Sequence, residues 1–138
     1  MMKYVEDGTL RIEWHDFPAQ GQESANAAFA ARAAQEQDKF WEYHELLFNN
    51  QSSGNSGGYS DENLVAFAEE AGLDAERFKK DYTGVRVENA VNNNFQKAQE
   101  NGIVGTPTVV INDQALVGFQ TVDVYETAIE NAKAAAGG

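Results

Sequence analysis

The chain has 138 residues and no cysteine, and its 22 acidic residues outnumber its 10 basic ones, for a formal net charge of −12 at pH 7. The lack of cysteine excludes disulfides, thiolate metal sites and cysteine nucleophiles, and the shortage of Lys and Arg argues against nucleic acid and anionic membranes as partners. The length predicts one domain over residues 1–138. The sequence shows no apolar run of 18 residues and no basic-then-apolar leader, so it predicts neither a membrane span nor a signal peptide.

The first predicted elements are a helix end, a strand and a long helical stretch. Residues 1–8 are typical of a last helical turn that stops at glycine. Residues 9–17 alternate between apolar and polar and precede a proline, which predicts a β-strand. Residues 22–50 begin rich in alanine and predict helix, in one or two segments. The second half of this stretch has one apolar face at helical spacing, made by Phe40, Trp41, His44, Leu47 and Phe48.

The remaining elements follow a glycine- and serine-rich stretch, residues 51–59, whose composition predicts a flexible loop. N-capping residues and glycine stops predict three helices, over 60–71, 74–82 and 85–100, so residues 22–101 are mainly helical. Residues 107–119 predict a β-hairpin, because Pro107 is admitted where a loop becomes a strand and the turn pair Asn112-Asp113 separates two apolar runs. Residues 122–135 predict the last helix.

The candidates for chemistry outside the hairpin are few. His44 falls on an apolar helix face, which favours a packed histidine over a metal ligand. His15 and Asp16 are neighbours on the predicted strand and would point to opposite faces. No pair of ligands has the spacing of a helical zinc site, and no serine stands in a G-x-S-x-G elbow. The sequence therefore predicts no metal and no cofactor.

Four segments, with Phe78 in place after the third, carry a resemblance to a known family. They are residues 10–18, 33–48, 71–74 and 102–112, and in this order they resemble the DsbA-like branch of the thioredoxin superfamily. The resemblance implies an α/β, thioredoxin-like fold with a helical insertion. It also implies a family that oxidises or isomerises disulfides in exported proteins, with unfolded or extended polypeptides as partners and an extracytoplasmic or periplasmic location.

The resemblance assigns a role to the loop before the hairpin. In the family this loop holds a cis-proline, lies against a reactive dithiol and pairs its backbone with an extended substrate. Carried over, Gly105, Thr106 and Pro107 would be the substrate-binding residues, with Thr106–Pro107 cis. The alternative is that the loop only directs the chain into a strand, and both interpretations stay open.

The family's C-x-x-C pair and first core strand have no counterpart in this sequence. We therefore expect no catalytic residue, a redox-inactive chain and an N-terminally truncated core sheet. The family's strand order would leave residues 9–17 and 108–112 on either side of a gap with unpaired backbone groups. This predicts a homo-oligomer or a strand-swapped dimer.

Three functions remain open at this stage. The first is a redox-inactive member of the DsbA-like thiol:disulfide oxidoreductases. The second is a non-catalytic module that binds extended peptides through the proline loop by β-augmentation. The third is a relative of the glutathione-dependent isomerases, whose architecture resembles that of the DsbA-like proteins. In that case this chain would lack the active-site segment of the group.

Overall fold

The computed structural model describes residues 2–137 of the chain. In chain order the helices and strands are α1 (Met2–Glu6), α2 (Gln22–Gln35), α3 (Phe40–Asn49), α4 (Asp61–Glu70), α5 (Ala75–Tyr82), α6 (Val85–Glu100), β1 (Thr108–Ile111), β2 (Gln114–Val117) and α7 (Val122–Gly137). They form two compact units, one of residues 2–15 and 102–137 and the other of residues 16–101. The prediction of one domain stays a prediction.

The core of the helical unit, residues 16–101, is built on the alanine-rich face of α2. Small side chains let the neighbouring helices α3, α4, α5 and α6 approach it closely. The buried side chains of this core are Ala30, Ala31, Ala33, Ala34, Tyr43, Leu47, Leu64, Ala68, Leu73 and Phe78. Two helices begin at the predicted caps, since Ser60 accepts a hydrogen bond from the Asn63 N–H and Asp74 from the Arg77 N–H. These contacts satisfy backbone donors that a helix start leaves open.

The hairpin forms in the other unit as predicted. Strands β1 and β2 pair antiparallel, with Thr108 opposite Val117 and Ile111 opposite Gln114. The two-residue loop between them needs a residue in the left-handed region, and Asn112 takes this role with φ 51°, because asparagine tolerates this region better than most residues. Helix α7 packs against β1.

The prediction of a strand over residues 9–17 is wrong. From residue 10 onward this segment has no regular secondary structure, and the only sheet among residues 2–137 is the β1–β2 pair. The alternation of side chains is a property of the chain alone, whereas a strand also needs a neighbour to bond its backbone groups. No strand of the described residues pairs with this segment, so the segment does not form a β-strand despite its alternating pattern.

The glycine-rich loop over residues 51–59 is anchored more firmly than its composition predicts. Asn55 Oδ1 accepts a hydrogen bond from the Glu23 N–H at 3.2 Å, and Glu23 Oε1 accepts one from the Gly57 N–H at 2.7 Å. Asn55 thus caps α2 from 32 residues away. The Asn55 side chain lies so close to Gly21 that a Cβ on residue 21 would collide with it. Gly21 also has φ +88°, which favours glycine.

Replacing Asn55 with alanine is expected to lower the free energy of unfolding by about 1–2 kcal/mol. The variant loses the cap on α2 and places an alanine at φ 53°, a region unfavourable to a side chain that cannot hydrogen-bond locally. Urea denaturation measures the loss. Asn55→Gly loses the cap without the backbone cost and should lie between alanine and the wild type, while Asn55→Asp should stay close to the wild type. An alanine variant as stable as the wild type would contradict the capping role.

Candidate functional site

The loop predicted to bind substrate is held in place by the hairpin that follows it. The Thr106–Pro107 bond is cis. The Gly118 N–H donates to the Pro107 carbonyl oxygen at 2.8 Å, and Thr108 Oγ1 donates to the Gly105 carbonyl oxygen at 2.7 Å. The second contact closes the turn on itself, and the first extends the β1–β2 pairing by one step. The three predicted site residues therefore lie in one ordered turn.

The backbone of this turn presents groups on the side away from β2. Backbone groups of an antiparallel strand point alternately to one neighbour and then to the other. Because the Pro107 carbonyl faces β2, that of Thr108, the first residue of β1, faces outward. Thr106 and Pro107 are exposed, Gly105 is half-buried, and no backbone hydrogen bond within residues 2–137 uses Thr106. An extended peptide could pair with this edge.

Two exposed apolar side chains flank the turn in sequence. Val104 is 86% exposed and Phe119 is 87% exposed. Phe119 follows Gly118, whose N–H is bonded to Pro107, so its backbone starts next to the turn. The site offers backbone hydrogen bonds with apolar surface beside them. It offers no thiol, because the sequence has no cysteine.

The two histidines occupy different environments. His44 is half-buried among the rings of Phe40, Trp41 and Phe48, with centroid distances of 5.7, 5.4 and 4.6 Å. Burial lowers the pKa of His44 below its usual value, because a low-dielectric surrounding disfavours the charged form. His15 is exposed, with Nε2 at 3.8 Å from Glu13 Oε2. Among residues 2–137, no three His, Asp or Glu side chains come together in a way that could hold a metal ion.

The apolar face predicted for α3 is only partly buried. Leu47 enters the core, but Trp41 and Phe48 are exposed, and the fully buried ring is that of Tyr43. The Tyr43 hydroxyl donates to the Leu64 carbonyl oxygen at 2.9 Å, and burial raises the pKa of Tyr43. Tyrosine can lie at a core position when its hydroxyl finds a partner, and the helical period alone did not reveal that partner.

The sequence analysis missed a buried ion pair. Asp16, predicted on the strand, is the one buried charged side chain of the described residues. Its Oδ2 is 2.6 Å from Arg32 Nε, and Arg32 Nη1 donates to Gln35 Oε1 at 2.7 Å. The available signals were an aspartate at an apolar position of the alternating pattern and one arginine inside the alanine-rich helix.

No helix among residues 2–137 has the length and hydropathy to cross a membrane.

Comparisons with known proteins identify the family. The family model described as Thioredoxin matches residues 1–131. Over 114 residues the chain is 27% identical to a "Probable disulfide bond formation protein D" of Bacillus cereus, with 80% of the chain and 53% of that protein covered. The chain thus spans about half the length of this relative.

Two solved structures have a similar fold. A thioredoxin-like oxidoreductase from Silicibacter pomeroyi matches with a TM-score of 0.74 and 28% identity, over 86% of this chain and 66% of that one. The thiol-disulfide exchange protein alpha-DsbA2 from Wolbachia pipientis matches with a TM-score of 0.81 over 94% of this chain and 69% of that one. At 22% identity it supports the fold alone. The predicted thioredoxin-like fold is confirmed, and the chain belongs to the thioredoxin superfamily. The match to the disulfide bond formation protein supports its DsbA-like branch.

Proposed function

We propose that this chain binds extended polypeptides for the disulfide chemistry of the DsbA-like family and performs no thiol–disulfide exchange itself. The observation that carries the proposal is the outward-facing backbone of Thr108 and the Thr106 backbone, which bonds to no other backbone group of residues 2–137, with the exposed Val104 and Phe119 flanking the turn in sequence. Main-chain pairing supplies affinity that does not depend on the sequence of the bound peptide, and apolar side chains add contact area. This combination suits unfolded clients of many sequences. The name of the Bacillus relative, a disulfide bond formation protein, supports the same client class.

The binding part of the proposal is tested by removing the apolar surface beside the turn. The double variant Val104→Ser/Phe119→Ser is expected to bind reduced, carboxymethylated α-lactalbumin about tenfold or more weakly, since burying one large apolar side chain contributes about 1.5–3 kcal/mol. Fluorescence anisotropy of the labelled client measures the change. The matched control is Val85→Ser, because Val85 on α6 is also an exposed apolar residue, with 69% exposure. Equal binding by the double variant and this control would refute the proposed site.

The redox part is tested with an insulin-reduction assay in the presence of dithiothreitol. Disulfide exchange requires an attacking thiolate, and the chain has no cysteine. We expect turnover at the background rate. Turnover above background that follows the protein through purification would overturn this part of the proposal and leave the binding part unaffected.

We also infer that the protein self-associates, as a homo-oligomer or a strand-swapped dimer, through the outer edge of β1, where a second copy would compete with a client for the backbone of Thr108. The backbone groups of Thr108 and Val110 face away from β2, and Val110 is an exposed apolar residue. An unpaired edge of this kind favours pairing with another strand. Sedimentation at micromolar concentration should show a dimer or larger species. A stable monomer would argue against association.

We infer an extracytoplasmic location, because structural disulfides form and persist in oxidising compartments and the family forms disulfides. Fractionation of cells that carry the native gene should find the protein outside the cytoplasm. Recovery only with cytosolic markers would contradict this location.

A further inference from the structure

Strand β2 borders an open, largely apolar cavity of about 290 Å³. Helix α7 packs against β1 and leaves open the space beside β2. The lining residues used here are Leu116 of β2 and Val124, Thr127 and Ala128 of α7. The cavity is large enough for one long apolar side chain. It belongs entirely to the unit of residues 2–15 and 102–137.

The backbone at this edge is ready to pair with another strand. Ile111 is opposite Gln114 across a two-residue loop, so Gln114 and Leu116 bond to β1 while the backbone groups of Ala115 and Val117 point outward. The Val117 carbonyl accepts a hydrogen bond from Gln120 Nε2 at 2.9 Å, which leaves both groups of Ala115 and the Val117 N–H on the outer edge. Within residues 2–137, β2 pairs only with β1. It carries no charge or proline that would discourage pairing.

One carboxylate lines the cavity and two more lie beside it. Asp123 lines it and also lines an adjoining cavity of about 350 Å³ with Glu126 and Glu130. Lys3 Nζ pairs with Glu126 Oε1 at 2.9 Å, and the pKa of Glu126 is lowered by its hydrogen bond with Lys3. The surroundings stay acidic because Lys3 offsets one carboxylate of the three, in a chain whose net charge is −12.

We propose that the outer edge of β2 and the cavity beside it form a second polypeptide-binding groove, which takes an extended segment with an apolar side chain between basic ones. The segment's main chain pairs with Ala115, its apolar side chain enters the cavity, and a basic side chain reaches Asp123. This groove is separate from the proline loop, because the free backbone groups of the loop lie on the opposite edge of the hairpin. The inference goes beyond the proposed function, which concerns the loop alone.

Binding of a labelled peptide tests the groove. The probe is an acetylated, amidated Lys-Thr-Leu-Thr-Lys, whose Leu and Lys side chains fall on one face of an extended chain, and the comparison peptide has Glu in place of Lys. Ala115→Pro removes the outward N–H and leaves the bonds to β1 in place. We expect it to weaken binding about tenfold, the effect of losing one well-formed hydrogen bond. Ala115→Val keeps the N–H and should bind as the wild type does.

Two further variants keep the test decisive if Ala115→Pro does not fold, which circular dichroism will show. Thr127→Trp fills the cavity from an exposed position on α7 and should also weaken binding about tenfold. Asp123→Asn should weaken the Lys peptide severalfold and reduce its salt dependence. The Glu peptide should bind at least tenfold more weakly than the Lys peptide.

Three results would overturn the proposal. The first is binding of the Lys peptide that both Thr127→Trp and a folded Ala115→Pro leave unchanged. The second is loss of peptide binding in Val104→Ser/Phe119→Ser, which would place the peptide at the proline loop. The third is a wild-type dimer that Ala115→Pro converts to a monomer, which would show that a second copy occupies this edge. If client binding fails at the loop while the Lys peptide still binds, the function proposed above fails and this groove stands.

Discussion

Replacing Asp16 with alanine is expected to lower the free energy of unfolding by about 3–5 kcal/mol. The carboxylate side chain is 1% exposed and its Oδ2 is 2.6 Å from Arg32 Nε. Truncation leaves the Arg32 guanidinium, whose side chain is 15% exposed, without its buried counter-charge. An uncompensated charge in a poorly solvated position costs far more than a surface ion pair contributes. Unfolding in guanidinium chloride, monitored by circular dichroism, measures the loss of stability.

The controls separate lost charge from lost volume. Asp16→Asn keeps the shape and an acceptor oxygen and should lose less stability than alanine. The double variant Asp16→Leu/Arg32→Met removes both charges and should recover most of the loss, because two apolar side chains of similar size replace the pair. Glu76→Ala, which breaks an exposed pair with Lys79, should barely move the midpoint. A loss below about 1 kcal/mol for Asp16→Ala would show that water reaches the pair.

Replacing Phe78 with alanine is expected to cost about 3–5 kcal/mol. The side chain is fully buried, and its ring lies 5.5 Å from the Tyr43 ring and 5.9 Å from the Tyr82 ring, centroid to centroid. Deletion removes apolar surface and leaves a cavity between helices, because both tyrosines are held by their hydroxyls. Tyr43 donates to the Leu64 carbonyl oxygen and Tyr82 to Asp61 Oδ1. Thermal and urea unfolding measure the cost.

The same residue type provides a control at an exposed position. Phe119 is 87% exposed, so Phe119→Ala removes the same atoms with little desolvation at stake and should leave stability nearly unchanged. Phe78→Leu keeps most of the volume and should cost less than half of what alanine costs. Equal losses in Phe78→Ala and Phe119→Ala would show that the aromatic cluster does not form the core of the helical unit.

The proposed function rests on two facts: the chain has the fold of the family, and it has no cysteine thiol. The chain belongs to the thioredoxin superfamily and resembles its DsbA-like branch, and it carries no cysteine. The proline loop still presents backbone groups and exposed apolar side chains, and we propose that these hold a client without reacting with it. Binding and exchange are physically separable, because the first needs an ordered edge and the second needs a thiolate. The two assays described above therefore have independent outcomes.

Much of the local structure was predictable from the sequence. Ser60 and Asp74 begin α4 and α5 as N-caps, and the hairpin forms around Asn112 and Asp113. Caps and turns depend on residues within a few positions of one another, so the chain carries their signals locally. The candidate site is also a local feature, since Gly105, Thr106 and Pro107 lie in one turn.

The features that the sequence did not reveal depend on neighbours distant along the chain. Residues 9–17 have the alternation of a strand, but no strand among the described residues lies beside them. The Asn55 cap on α2 joins residues 32 apart, and the Tyr43 hydroxyl finds its carbonyl 21 residues away. Asp16 could be buried only because the fold brings Arg32 to it. The sequence by itself determined the helices, the turns and the absence of a thiol. Only the tertiary structure decided which backbone edges stay unpaired and which polar groups are buried, because pairing and desolvation depend on what surrounds a group in space.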